Sequence, residues 1–534
     1  MAGIKPVILD DPMNALLAGL IALLGLIGLA AVIAPKVKIP APVLLVVAGI
    51  VWALTPGLAP PEIDPHIILS VFLPPLLYSD AWRASWHDFR RWLRPILSLA
   101  IGLVAFTIAC VGIAAKWAMP DLPWAVCFMI GAMVSPTDTV AIHAVLGRLR
   151  VPRRFTAIVG GESLINDATG LLGVQLASIV VLTGVFEASG IAIEFLRISV
   201  LGILSGVAVG LLAIAINARL RGTAILFVFS LVAPYLAFGL AEAFGASGVL
   251  AVVIAGFVAS WRIDLIAAES RVELTADWDV LVFIFNGVMF LFVGLEIPHR
   301  LGADPATTNS LLRFGLIVGA TVVVARLVWF WPAAYIPLWL FPRLRAKEGG
   351  YPPPRAVVLA SWCGVRGAVS LAAALSLPLT LPGGTPFPGR VAVEMAVLVT
   401  IVVTLIGQGS TVGPLLHLLR IPADPTTEAE TRTAREAMLA AGIERLDAFC
   451  SDRSCPIAVY RYRDVMTDRL AVLREEEESE RTNAAQRLEV SRDVRRAVWK
   501  AESDALLRLR DAGEINDRDH QDLQLELDRE HAEL

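Results

Sequence analysis

Charged residues are scarce in this chain. They make up 18% of its 534 residues, against 56% hydrophobic ones, and the mean hydropathy is +0.68. A soluble protein of this length could not bury so much apolar surface, so a purely soluble enzyme or binding module is excluded. Cysteine is scarce too. Cys110, Cys127 and Cys363 lie in apolar runs and read as packed thiols. Cys450 and Cys455 have no histidine nearby and read as two reduced thiols rather than a metal pair. No Ser/His or metal-ligand cluster recurs at a common depth, so an intramembrane hydrolase is not indicated, and neither an enzyme nor a bound cofactor is expected. There is no basic excess for nucleic acid, since the formal net charge is −4.

Long apolar runs are what the chain has instead. They fall at about 15–34, 41–58, 67–82, 93–117, 123–147, 155–183, 192–216, 223–242, 246–261, 279–297, 314–340, 356–381 and 391–418. Each is near the length that a helix needs to cross a bilayer. The fold class is therefore all-α and polytopic, with about 13 transmembrane helices and a helical tail. Lys5 is followed by acidic residues and 15–34 is long enough to span, so this run reads as a retained first helix.

The loops support the count. Alternate loops carry Lys36 and Lys38, then Arg83, Arg90, Arg91 and Arg94, then Arg148, Arg150, Arg153 and Arg154. Further along they carry Arg219 and Arg221, Arg262 and Arg271, and finally Arg343, Arg345, Lys347 and Arg355. The intervening loops carry only Lys116, Arg197, Arg300, Arg313 and Arg390. By the positive-inside rule the N-terminus is outside and the tail cytoplasmic, in an inner or plasma membrane. Residues 1–420 hold 27 Lys/Arg and 22 Asp/Glu, a net of +5, and residues 421–534 hold 18 and 27, a net of −9. This divides a membrane domain, 1–420, from an acidic soluble appendage, 421–534.

Two runs are interrupted. The fifth contains Ser135-Pro136-Thr137-Asp138 and the twelfth Cys363-Gly364-Val365-Arg366-Gly367-Ala368. Proline removes a backbone hydrogen bond, and glycine tolerates unwound chain. Unwound backbone at membrane depth survives only inside protein. With runs one to six and eight to thirteen as two units and the seventh as a linker, each break is fifth in its unit. This is the pattern of an inverted repeat with two crossed, discontinuous helices.

The sixth run carries Gly161-Glu162-Ser163-Leu164-Ile165-Asn166-Asp167. An ionised group at that depth costs about 2.5–3.5 kcal/mol on insertion scales, so such residues mark ion or proton paths. Ser163, Asn166, Asp167 and Gly170 share one helix face, with Glu162 on the next stripe. Ionised Asp167 is a hard oxygen ligand for a monovalent cation, and protonated it is neutral and cheap to bury, so cation and proton compete for it. Ser163 and Thr137 are candidate oxygen ligands for that cation, and Asp138 is either a ligand or a helix-end stabiliser. Asn166 either fixes the carboxylate or holds unwound backbone. Glu162 needs a cationic partner, and Arg366 is the expected one. Arg326, midway along the eleventh run, has Glu296 and Asp138 as candidates. His143 reads as a satisfied interior histidine, and Pro74-Pro75 with Tyr78 read as a kink.

Ser135-Pro136-Thr137-Asp138, Gly161 to Asp167, Phe292-Val293-Gly294-Leu295-Glu296 and Gly364-Val365-Arg366-Gly367-Ala368 closely resemble signatures of the monovalent cation/proton antiporters, in the sodium/proton exchanger branch. The resemblance implies a core of 93–183 and 314–418, a dimerisation region of 15–82 and 223–297, and a homodimer working by elevator-like movement. It also implies that Asp167 is the proton and cation carrier, with Thr137, Asp138, Glu162 and Ser163 shaping the site. Asn166-Asp167 stands where the electrogenic branch resembles Asp-Asp, which implies electroneutral exchange of one proton per sodium ion. Potassium/proton exchange, a cation channel and a non-transporting sensor are the alternatives. The tail reads as amphipathic helices, with a solvated acidic run at Glu475–Glu478, a turn at Gly513–Asn516 and a final helix bearing Leu523, Leu525, Leu527 and Leu534.

Overall fold

The computed structural model describes residues 12–37, 39–55, 68–138, 152–184, 187–220, 222–300, 305–381, 384–420, 425–451, 456–474, 478–512, 519–520, 523–524 and 526–528. His143, Cys455, Glu475 to Glu477, the Gly513–Asn516 turn, Leu525 and Leu534 lie outside them. Within the described residues the chain is helical, and pairing between extended segments is confined to an isolated bridge between Thr380 and Pro386. The chain forms two compact units, Met1–Ala423 and Asp424–Leu534.

Where they are described, the apolar runs of the first unit are helical, whole or broken. In chain order these are α1 (Pro12–Val37), α2 (Ala41–Leu54), α3 (Leu73–Arg83), α4 (Leu93–Ala118), α5 (Trp124–Val134) and α6 (Arg153–Thr183). They continue with α7 (Ala188–Asn217), α8 (Thr223–Ala243), α9 (Gly248–Ser260), α10 (Ala268–Arg300) and α11 (Pro305–Leu340). The last two are α12, in the pieces α12a (Pro354–Trp362) and α12b (Ala368–Leu375), and α13 (Arg390–Leu419). Eight of them are long and apolar enough to cross a membrane uninterrupted. The chain is thus a multi-pass membrane protein. Their outward faces are aliphatic, as with Leu20, Ile21, Ile193, Leu196, Val228 and Val324, which suits lipid as solvent.

Local chemistry sets the ends. Pro74 and Pro75 occupy the first turn of α3, where a missing N–H costs nothing, and a π-helical turn, Ile68–Phe72, leads into them. Gly184, at φ 70°, closes α6 in the left-handed conformation that glycine adopts without strain.

The helices pack in two groups. In one, α4 lies against α5 and α11, α6 against α5, α11 against α12a and α13, and α12b against α13. In the other, α9 lies against α3, α7 and α8, and α2 against α10. Gly49 and Gly294 let the last pair approach to backbone contact, since a Cβ on Gly49 would stand 2.9 Å from the Cα of Gly294.

In the second unit α14 (Pro425–Ser451) packs on α15 (Ile457–Leu473), and α15 on α16 (Glu478–Asp511). Arg463 reaches Asp447 at 2.6 Å, and Arg487 pairs with Asp468. Cys450 is disulfide-bonded rather than reduced, which corrects the sequence expectation of a free thiol there; Cys110, Cys127 and Cys363 are free.

Candidate functional site

The site forms where the broken helices cross. α5 stops at Val134, and Ser135 to Asp138 run on as unwound chain. α12 is unwound from Cys363 to Gly367. The two segments meet directly, the Asp138 backbone N–H donating to the Val365 carbonyl at 2.8 Å. Breaking a helix leaves carbonyls at one end and N–H groups at the other. Arg366 serves the carbonyl end. Its Nε donates to Val134 O, the last residue of α5, at 2.6 Å and its guanidinium to Gly364 O at 2.8 Å. Asp138 lies against the opposite kind of end, because Gly367 is the N-cap of α12b and any Cβ there would strike the Asp138 carboxylate. A cation at a helix C-terminus and an anion at an N-terminus both suit the helix dipoles.

The continuous helix α6 braces the unwound chain. Ser163 Oγ donates to Thr137 O at 2.5 Å, and Asn166 Nδ2 donates to Thr137 Oγ1 at 2.8 Å. The Thr137 N–H returns to Asn166 Oδ1 at 3.4 Å. Of the two roles open to Asn166, this geometry has it holding the backbone.

Glu162 and Arg326 correct the expected pairing. Glu162 is 0% exposed and is bound through both carboxylate oxygens by Arg326 rather than Arg366. Arg326 also donates to the carbonyls of Ala360 and Cys363, at 3.3 and 3.2 Å. This ties α6, α11 and the end of α12a together. The physical reason is rotation: Glu162 faces α11, so its partner comes from the middle of that helix, and Arg366 is taken up by backbone carbonyls. Neither candidate for Arg326 is thus its bidentate partner, and one of them, Glu296, binds Arg300 at 3.0 Å.

Beside the crossing lies a cavity of about 40 Å³. Thr137, Asp138, Ser163 and Asp167 line it, as do three polar residues that sequence reasoning passed over: Asp80, Asn286 and Ser370. Asp167 is 8% exposed. The third run contributes by a different face from the one its prolines suggested. Leu73, Leu76, Leu77 and Asp80 follow helical spacing into the cavity, while Tyr78 packs on the Trp278 ring at 5.7 Å. Asp80 had a signal, a carboxylate one turn past apolar positions of that spacing. Asn286 had one as well, as the one polar residue between Asp279 and Glu296. Ser370 had none, because serine is unremarkable in a helix. Glu162, Arg326, Arg366 and Asn166 do not line the cavity. Three carboxylates from three helices therefore face one small space, with hydroxyl and amide oxygens between them. Such a donor set suits a hard monovalent cation or protons, in keeping with the oxygen-ligand preference of hard ions.

Known proteins share both the sequence and the fold. Residues 19–418 match the family model described as sodium/hydrogen exchanger, transmembrane. An uncharacterized Na(+)/H(+) exchanger of Mycobacterium bovis is 30% identical over 524 residues, covering 96% of this chain and 95% of that one. A Bacillus subtilis sodium, potassium, lithium and rubidium/H(+) antiporter is 33% identical over 368 residues, 66% of this chain and 54% of that one. The sodium proton antiporter MjNhaP1 of Methanocaldococcus jannaschii superposes with a TM-score of 0.59 at 19% identity, over 75% of this chain and 100% of that one. The helices, the crossing and the matched family agree: the chain belongs to the sodium/hydrogen exchanger family.

Proposed function

We propose that this protein is a secondary antiporter exchanging Na+ for H+, one for one and electroneutrally, with Asp167 as the shared carrier. The observation that carries this reading is the placement of Asp167. It is buried, it faces the cavity, and the buried arginines are engaged elsewhere, Arg326 by Glu162 and Arg366 by backbone carbonyls. A carboxylate so placed is neutral when protonated and neutral in sum when it holds a monovalent cation. It is costly to bury when empty and charged. The loaded forms therefore cross and the empty form does not, which couples the two fluxes. Asn166 adds no charge. Asp80 belongs to α3, in the other packing group, so on this reading it does not travel with Asp167 and Asp138.

The two packing groups supply the moving parts. α4–α6 with α11–α13 form the mobile core, corresponding to 93–183 and 314–418. The regions 15–82 and 223–297 form the fixed dimerisation part of a homodimer. Elevator-like movement of the core then exposes Asp167 to each side in turn. The N-terminus is outside and the tail in the cytoplasm of a bacterial inner membrane. Li+ and K+ are further substrates on this reading, and the Bacillus subtilis relative, whose name covers four alkali cations, supports the breadth.

The test is exchange in proteoliposomes with an internally trapped pH dye. An inward Na+ gradient alkalinises the lumen at a rate that an imposed membrane potential leaves unchanged. Na+ uptake without proton movement overturns the reading in favour of a channel.

A further inference from the structure

Two polar groups lining the cavity make no side-chain hydrogen bond among the described residues. Ser370 is 1% exposed and its hydroxyl has no hydrogen-bond partner. Asn286 lies in the apolar middle of α10, and none of the side-chain hydrogen bonds of the described residues involves its amide. Both line the same cavity as Asp167. Buried polar groups are nearly always satisfied, and at membrane depth lipid offers no substitute. Ser370 is buried and Asn286 half-buried, and an occupant of the cavity is placed to satisfy both.

The size of the cavity limits what that is. At about 40 Å³ it has room for roughly three water-sized occupants, taking about 10–15 Å³ for each. An alkali ion that binds there exchanges waters of its shell for protein oxygens. Ser163 and Thr137 lie on one wall; Ser163 Oγ gives its proton to Thr137 O and keeps its lone pairs, and Thr137 Oγ1 accepts from Asn166 and keeps one. From the other side, α10 and α12b bring the Asn286 amide and the Ser370 hydroxyl to the lining.

We infer that Asn286 Oδ1 and Ser370 Oγ are cation ligands, completing from α10 and α12b the shell that Asp167 begins from α6, and that they set the preference among alkali cations. The inference rests on the antiport reading above and adds the residues that discriminate its substrate. Neither side chain titrates, so both act on the cation branch and leave the proton branch to Asp167. The smaller the ion, the more tightly it holds water and the more it depends on replacement oxygens. Losing a ligand therefore harms Li+ and Na+ more than K+ and Rb+.

The experiment measures exchange by the full-length protein in proteoliposomes against concentration series of Li+, Na+, K+, Rb+ and H+. Asn286→Leu and Ser370→Ala each raise the KM for Na+ by about tenfold, the effect of losing one contact of about 1.4 kcal/mol. The KM for Rb+ moves less, that for H+ does not move, and the larger part of the loss lies in KM rather than in maximal rate. Unchanged cation KM values and an unchanged cation ranking in both variants overturn the inference. So does a shift confined to the proton KM, which makes these groups positioners of a carboxylate. If Asn286→Leu fails to fold, Ser370→Ala, which removes one oxygen, decides alone. Absence of exchange with every cation in the unsubstituted protein overturns the antiport reading itself, and is distinguishable from either result.

Discussion

Glu162 and Asp167 lie on the same helix, five residues apart, and both are buried, yet their surroundings are opposite. Glu162 is held through both oxygens by Arg326, in a region where a second arginine, Arg366, is fixed to the carbonyls of Val134 and Gly364. Asp167 faces a cavity with two other carboxylates, Asp80 and Asp138, and no basic residue among the described residues of the lining. On the function proposed above, the same chemical group is a rivet in one place and a working site in the other. What separates them is the direction each side chain takes from α6. The cationic region ties the crossed helices together through Glu162 and the carbonyls of Val134, Ala360, Cys363 and Gly364.

That contrast is broken most completely at Asp167. Asp167→Asn keeps the shape and removes both the charge and the proton site. Exchange falls to background, at least about 100-fold if the lost ion contact is worth about 3 kcal/mol, while the protein elutes and melts as the unsubstituted one does. The matching change on the other side acts on stability instead. Arg326→Met leaves Glu162 buried and unpaired, at a cost of about 3–5 kcal/mol, read as a large drop in melting temperature. Combining it with Glu162→Leu recovers most of that loss, because a buried pair replaced by apolar groups is often near neutral. A double variant no more stable than Arg326→Met contradicts the rivet. Ser163→Ala has a smaller effect. It strips the donor from Thr137 O, leaving a buried carbonyl unsatisfied at about 1–3 kcal/mol, and loosens the unwound segment beside Asp167. The expected outcome is a raised cation KM with exchange still measurable. The smallest effect comes from removing residues 424–534, a compact unit in its own right. Exchange persists in the truncated protein, and its loss in a well-folded truncation contradicts an accessory tail.

Much of this contrast is legible in the sequence, for reasons that stop at the single helix. The apolar runs, the breaks at 135–138 and 363–367, and the grouping of Ser163 with Asp167 depend on helical period and backbone chemistry, and these are local. Pairing across helices is not. Glu162 and Arg366 look matched because each is a charge near a break, but the rotation of α6 toward α11 gives Glu162 to Arg326. Asp80 reads as an ordinary charge at the end of a run until α3 is seen to turn it toward α6. Asn286 is uncharged, so it carries little weight beside carboxylates, although an amide alone among aliphatic residues was the signal to follow. Ser370 could not be found without the fold, because only the absence of a partner marks it.

The claim that one carboxylate serves proton and cation in turn is tested most directly by proton release on cation binding. Purified protein in weakly buffered detergent solution, with a soluble pH dye, is titrated with NaCl and, as a control for ionic strength, with choline chloride. The account predicts that Na+ displaces protons from the unsubstituted protein and from Ser370→Ala at higher Na+, and that Asp167→Asn releases none. Proton release from Asp167→Asn equal to that of the unsubstituted protein would show that the shared carrier is another group, and would contradict the account.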